Sequence, residues 1–180
     1  YIGGQIQSNF NKRDIVEEYD QSANTWTQKT PIPDGVYNNK AFSINGLVYN
    51  AGGNYANDTQ DTVYEYDPQS DSWQEVASLN NGRRNHAAAS LNSFGYVFGG
   101  FTSTTSDVAE KYDQQADSWS VISPMGNERN NFTGTAANGL VYAIGDDSQT
   151  APSESYNPNT DSWQEVPSLA TKREDAVSSS

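Results

Sequence analysis

Short apolar stretches alternate with polar, turn-forming clusters along the whole chain, and no window carries the 3.6-residue period of a helix. One stretch shows the pattern in full. Ala41–Asn45 is small-to-apolar, Asn45-Gly46 is the strongest two-residue hairpin signal, and Leu47–Ala51 follows and ends at Gly52-Gly53. After a polar loop comes Thr62–Tyr66, with bulky residues at Val63, Tyr64 and Tyr66. Asp67-Pro68-Gln69-Ser70-Asp71 has turn chemistry, and Ser72–Val76 then carries Trp73 and Val76. The pattern predicts four strands, A to D in chain order, and almost no helix.

The pattern repeats. Strand A recurs at Ala87–Leu91 and Thr133–Ala137, and strand B at Gly95–Phe98 and Leu140–Ile144. Strand C recurs at Val108–Tyr112 and Ser153–Tyr156, and strand D at Ser118–Ile122 and Ser162–Val166. Trp26, Trp73, Trp119 and Trp163 are 47, 46 and 44 residues apart. Seven residues before each stands Tyr19, Tyr66, Tyr112 or Tyr156, followed by Asp20, Asp67, Asp113 and Asn157. The glycine pairs are Gly3-Gly4, Gly52-Gly53 and Gly99-Gly100, with a broken one at Gly145-Asp146. A repeat of this length with four short strands per unit means radial or stacked repetition. Tyr1-Ile2-Gly3-Gly4 reads as the end of a B strand, and Arg173–Ser180 aligns with the start of an A strand. The units are therefore 1–30 (strands B to D, with strand A from 173–180), 36–78, 83–124 and 129–168. Opening without Met at Tyr1 and stopping mid-pattern at Ser178-Ser179-Ser180, the chain reads as a processed or excerpted piece.

Composition narrows the classes of function. At 180 residues the expectation is one domain. Hydrophobic content is 34% and mean hydropathy is -0.82, yet 12% aromatics spaced at strand positions argue against disorder. A net charge of -13 disfavours nucleic acid and anionic membranes as partners. The absence of Cys removes disulfides, thiolate metal sites and Cys nucleophiles together. No apolar run approaches the ~20 residues of a membrane span, and none reads as a signal peptide. The compartment is left unassigned, with an extracellular or periplasmic setting favoured.

These motifs resemble the kelch repeat: an Arg, a small-residue inner strand, an apolar strand ending in Gly-Gly, then Tyr-Asp, then Trp. The resemblance covers essentially all 180 residues. It implies an all-β fold, a β-propeller of four-stranded antiparallel blades with strand A innermost and four blade equivalents in this chain. The glycine pairs would sit where blades crowd, and the Tyr and Trp residues would be plates between adjacent sheets. Gly3, Gly4, Gly52, Gly53, Gly99, Gly100, Gly145, Tyr19, Tyr66, Tyr112, Tyr156, Trp26, Trp73, Trp119 and Trp163 are accordingly read as structural. The departures are Val36 for Arg, Asp146 for Gly and Asn157 for Asp, and the fourth blade is expected to be irregular at Asp146. Kelch propellers usually have more blades. A small closed ring, an arc of a larger propeller and a ring made by two chains are the alternatives, and the two chain ends favour the arc.

In an up-and-down blade the B–C and D–A connections share one face. The B–C loops Gln5–Arg13, Asn54–Asp61, Phe101–Ser106 and Asp147–Pro152 differ in length and content, whereas the C–D turns are nearly identical. Variable loops on a rigid scaffold are where binding usually lives. Seven of the ten basic residues fall on this face: Lys12, Arg13, Arg83, Arg84, Arg129, Lys172 and Arg173. Arg83, Arg129 and Arg173 share one repeat position, so a ring would point them at one axis, suited to a carboxylate, sulfate or acidic peptide. The alternative is that each Arg staples its own blade, with Glu128, Glu174 and Asp175 beside them as partners. His86 is the single His, and its counterparts are Asn39, Phe132 and Ala176. No second His or Cys exists for a nitrogen or sulfur metal site, and carboxylates such as Asp146 and Asp147 lack a spaced motif. Asn57-Asp58-Thr59 and Asn131-Phe132-Thr133 fit the glycosylation sequon.

No catalytic triad, G-x-S-x-G or phosphate loop is present. The expectation is a non-enzymatic binding module without metal or cofactor, presenting the B–C and D–A loop face to a protein or glycan partner. Tyr37, Tyr55, Phe101, Arg84 and Arg129 are the expected anchors, with Arg83, Arg173 and His86 as further candidates. The resemblance leaves an enzyme open. Copper-radical sugar oxidases of kelch fold need a Tyr–Cys crosslink, which a Cys-free chain lacks. A sialic-acid mutarotase would use polar residues such as Arg83, His86, Arg129 and Glu174. A third reading is a structural segment of a larger extracellular protein, with self-association or a parent propeller.

Overall fold

The computed structural model describes residues 14–55, 58–146 and 151–171. Among these residues there are strands and turns and no helix. The strands are β1 (Val16–Asp20), β2 (Thr25–Lys29), β3 (Lys40–Ile44), β4 (Leu47–Ala51), β5 (Asn54–Tyr55), β6 (Asp58–Thr59), β7 (Val63–Asp67) and β8 (Ser72–Val76). They continue as β9 (Ala87–Leu91), β10 (Phe94–Phe98), β11 (Ala109–Asp113), β12 (Ser118–Ile122), β13 (Thr133–Ala137), β14 (Leu140–Ile144), β15 (Ser153–Asn157) and β16 (Ser162–Val166). Three four-stranded antiparallel sheets result, in the orders β3-β4-β7-β8, β9-β10-β11-β12 and β13-β14-β15-β16. β1 and β2 form the C–D pair of the first unit; its expected B strand at residues 1–4 and A strand at 173–180 lie outside the described residues.

Turn chemistry sets the register of each sheet. Asn45-Gly46 and Asn138-Gly139 have positive φ at both positions, 51° and 85° and then 51° and 78°, the conformation that matches the twist of a two-residue hairpin. Asn92-Ser93 reaches it without glycine, at 52° and 65°. The C–D turns are side-chain driven. Asp67 accepts the Gln69 N–H at 2.8 Å and Asp113 accepts the Gln115 N–H at 2.9 Å, and each turn closes on a residue with positive φ, Asp71 or Asp117. One element was not legible in the sequence: β5 and β6 pair as a small ribbon inside the Asn54–Asp61 loop.

The sheets stand face to face, and the core lies in the junctions between them. Phe42, Ile44, Tyr49, Ala51 and Val63 of one sheet pack on Val97, Tyr112 and Trp119 of the next. Ala87, Ala89, Tyr96, Phe98 and Ala109 of that sheet pack in turn on Phe132, Val141, Ala143, Tyr156 and Trp163. Val16 of the first-unit pair and Ile32, just after β2, pack with Val36, Tyr64 and Trp73. The small residues of β9 and β13 allow the close approach of neighbouring inner strands. Main-chain bonds from Asn85 N to Asn38 O and from Asn131 N to Asn85 O, both 3.0 Å, thread the entries to β3, β9 and β13 together. Asn38, Asn85 and Asn131 each hold positive φ there, a conformation Asn tolerates better than most residues.

The first glycine of the two pairs within the described residues, Gly52 and Gly99, is a packing requirement. A Cβ on Gly52 would lie 2.6 Å from the Arg83 carbonyl oxygen, and one on Gly99 would lie 2.6 Å from the Phe132 ring. The expected irregularity at Asp146 takes a definite form. Gly145 keeps φ +81°, but Asp146 is absent from the positive-φ residues that include Gly53 and Gly100. The described residues do not close a ring. Tyr19 and Trp26 of the first unit are 45% and 60% exposed, whereas Tyr66, Tyr112 and Tyr156 are buried.

Candidate functional site

The two described arginines of the repeat position, Arg83 and Arg129, are fully buried. Arg83 donates through Nη1 to Gly99 O at 2.9 Å and Val108 O at 2.8 Å, through Nη2 to Glu110 Oε1 at 2.6 Å and through Nε to Asn81 O at 3.3 Å. Arg129 donates to Gly145 O at 3.2 Å and Pro152 O at 2.8 Å, and pairs with Glu154 at 3.1 Å. Each guanidinium thus ties the end of strand B to the start of strand C in its own sheet. Burial pushes both guanidinium groups down from the usual range, and Glu110 and Glu154 oppose that shift.

This arrangement supports the stapling reading of Arg83 and Arg129 over the anion-binding one, and it corrects their expected carboxylate partners. The guanidinium groups of Arg83 and Arg129 are spent inside the blades, with no exposed surface left to meet an anion on an axis. Their carboxylate partners are Glu110 and Glu154 on strand C, not the flanking Glu128. Arg173, Glu174, Lys12, Arg13, Gly3 and Gly4 lie outside the described residues. The glutamates do further work: Glu110 Oε2 accepts from Asn80 N and Asn80 Nδ2, both at 2.8 Å, and Glu154 accepts from Gly126 N at 3.0 Å and Asn127 Nδ2 at 2.6 Å. A signal for this pair exists in the sequence. Glu110 and Glu154 each stand two residues before the motif Tyr, and where Val36 replaces the Arg, Tyr64 replaces the Glu.

His86 is also buried. Its ring lies over the first glycine of the previous unit, with Cε1 3.2 Å from where a Gly52 Cβ would be. Burial, then the nearby Arg83 and Lys40 charges, push the imidazole well below its ordinary range, with the Ala51 backbone pulling weakly the other way. His86 is therefore a neutral core group, and its place in the expected set of ligand contacts gives way to a packing role.

The remaining candidates gather on the D–A and B–C loops. Arg84 and Phe101 exchange two main-chain bonds, Arg84 N to Phe101 O at 3.1 Å and Phe101 N to Arg84 O at 2.8 Å. The Arg84 guanidinium lies 4.7 Å from the centre of the Phe101 ring. Tyr37 and Asn54 repeat the exchange one unit earlier, at 3.3 and 2.8 Å, and Asn54 Nδ2 donates to Tyr37 Oη at 2.6 Å. Tyr55 follows Asn54 on β5 and is exposed. Asn130 holds the same repeat position in the next unit and donates to Thr105 Oγ1 at 3.2 Å, joining one unit's B–C loop to its neighbour's D–A loop. The structure thus splits the predicted set. Arg84, Phe101, Tyr37 and Tyr55 form a rim of half-buried or exposed planar groups on rigid main chain, while Arg83, Arg129 and His86 lie beneath it. Among the described residues no group of three or more His, Cys, Asp or Glu side chains could hold a metal ion.

Antiparallel four-stranded units of one repeat, two of them stapled by an Arg and all stacked through aromatic plates, define an all-β blade repeat protein. The chain belongs to the kelch-repeat family: residues 37–80 and 82–126 each match the model of the Kelch motif. Kelch repeats generally mediate protein interactions. No curated protein matches the chain.

Proposed function

We propose that this chain is a non-enzymatic binding module whose B–C and D–A loop face engages a protein partner through Arg84, Phe101, Tyr37 and Tyr55. The observation that carries the reading is the Arg84–Phe101 pair. A cation stacked on an aromatic ring, on main chain locked by two hydrogen bonds, keeps its outward donors for a partner and loses little conformational freedom on binding. A guanidinium in that setting suits a carboxylate, so an acidic peptide segment is the expected epitope.

The test is binding of a displayed acidic-peptide library to the immobilised chain, with a glycan array as the second arm. Selected peptides should lose at least about tenfold in affinity with Arg84→Ala or Phe101→Ala while the melting temperature holds, the loss expected of an interface anchor. Equal binding by the wild type and both variants removes the reading. Binding on the glycan array alone would replace the peptide partner by a sugar.

A further inference from the structure

Every junction between successive units is built from the same parts. A leading half supplies a Tyr, an Asp and a Trp; a trailing half supplies one peptide group and an apolar side chain two residues on. In the first junction Trp73 Nε1 donates to Thr30 O at 2.9 Å, Thr30 N donates to Asp71 at 2.9 Å, and Tyr66 Oη donates to the same carboxylate oxygen at 2.6 Å. The second uses Trp119 to Ala77 O at 2.8 Å, Ala77 N to Asp117 at 2.9 Å and Tyr112 to Asp117 at 2.8 Å. The third uses Trp163 to Ser123 O at 2.8 Å, Ser123 N to Asp161 at 3.0 Å and Tyr156 to Asp161 at 2.8 Å. The apolar members Ile32, Leu79 and Met125 are 1%, 3% and 3% exposed.

Among the described residues one leading half and one trailing half are left over. The leading half is Tyr19, Asn24 and Trp26; Tyr19 Oη already donates to Asn24 Oδ1 at 2.7 Å, and Asn24 has φ 53°, close to the 49° of Asp71. The trailing half is Pro167 with Leu169, which is 40% exposed where its three counterparts are buried. These halves depart from the internal ones at two positions, and the departures answer each other. Pro167 has no N–H to donate. Asn24 replaces the carboxylate that takes that N–H elsewhere. With only the Tyr hydroxyl left as donor, a neutral amide oxygen suffices. Within one chain the two halves do not meet, since Trp26 and Leu169 are both exposed.

We infer that two copies of this chain associate head to tail, the Tyr19–Asn24–Trp26 face of one docking on the Pro167–Leu169 face of the other. The contact continues the repeating junction: Trp26 Nε1 donates to Pro167 O, and Leu169 is buried as Leu79 and Met125 are. Such an interface is heterologous, so two copies close a ring if the rotation permits and otherwise extend the array.

Sedimentation velocity on the whole chain over a concentration series tests this. Wild type should self-associate, and Trp26→Glu and Leu169→Glu should each be monomeric with unchanged far-ultraviolet circular dichroism, since both positions are exposed. An equimolar mixture of the two variants should give a heterodimer, because each brings the face the other lost. A monomeric wild type, association that survives either substitution, or a mixture that stays monomeric overturns the inference. Association that survives Leu169→Glu but not Trp26→Glu would mark a symmetric Trp26-to-Trp26 contact instead. Peptide binding through Arg84 is read independently, so the two readings fail separately.

Discussion

Arg83 and Glu110 are both wholly buried and meet at 2.6 Å, while the same two repeat positions one unit earlier hold Val36 and Tyr64, which pack together in one apolar cluster. The chain thus contains both an ionic and an apolar solution to one structural problem. Removing one member of a buried ion pair leaves the other charge uncompensated, so Arg83→Met should destabilise by about 3–5 kcal/mol. The double variant Arg83→Val with Glu110→Tyr should recover at least about half of that loss, because no buried charge remains. The carbonyls of Gly99 and Val108, which also rely on Arg83, keep recovery incomplete. Urea denaturation of the three proteins measures it.

His86 makes stability depend on acidity in a defined direction. Its folded-state affinity for protons is well below that of the unfolded chain, where imidazole titrates near about 6.5. The unfolded state therefore binds the proton first, and the contribution of neutral His86 is full above that range and lost as pH falls below it. The slope is up to about 1.4 kcal/mol per pH unit for this single group. His86→Phe, the residue found at the equivalent Phe132, should flatten the stability profile between pH 6.5 and lower values, where carboxylate titration begins. Melting temperatures at matched ionic strength would show the change.

Glycine substitutions should separate close packing from turn geometry. Gly46 and Gly139 have positive φ but no atom within 4 Å of an added Cβ, so Ala there should cost about 1 kcal/mol from backbone strain. Gly99 combines φ +63° with contacts of 2.6 Å to the Phe132 ring and 2.9 Å to the Arg129 carbonyl oxygen. Overpacking adds about 1–3 kcal/mol to the strain, and Gly99→Ala should be the worse variant by that margin in chemical denaturation.

The Tyr–Asp corner gives a paired comparison. Asp117 takes the Tyr112 hydroxyl and the Ala77 N–H, so Asp117→Ala should cost about 1–2 kcal/mol by leaving two donors unmatched at a part-buried junction. Asn24 takes only the exposed Tyr19 hydroxyl. Asn24→Ala should stay within about 0.5 kcal/mol of wild type, as ordinary surface substitutions do. Equal costs at both positions would show that the corner acts through its turn and not through the junction.

The strands and their hairpins were legible because their causes are local. Asn45-Gly46, Asn138-Gly139 and the Asp-led C–D turns fix the chain reversals through neighbouring residues, and all but a few strand ends fall where the alternation of apolar and polar residues puts them. The short β5–β6 ribbon was missed because Asn54-Tyr55 and Asp58-Thr59 are too short to carry a pattern. The loop rim was legible in part: Arg84 and Phe101 could be named as candidates, but not their stacking.

Sequence alone determined the four-strand unit, its repetition and the positions of its aromatic and glycine landmarks, since each follows from residue type and spacing within one unit. Tertiary structure decided where the arginines point and which side chains are free. Arg83 finds a partner 27 residues away because strand C folds back beneath the loop, a distance that sequence neighbours cannot report. Trp26 and Trp119 sit in nearly the same local sequence, yet one is 60% exposed and the other is packed on Phe42 with its N–H on the Ala77 carbonyl. Burial belongs to the sheet stacked alongside, and only the three-dimensional arrangement says which faces have one.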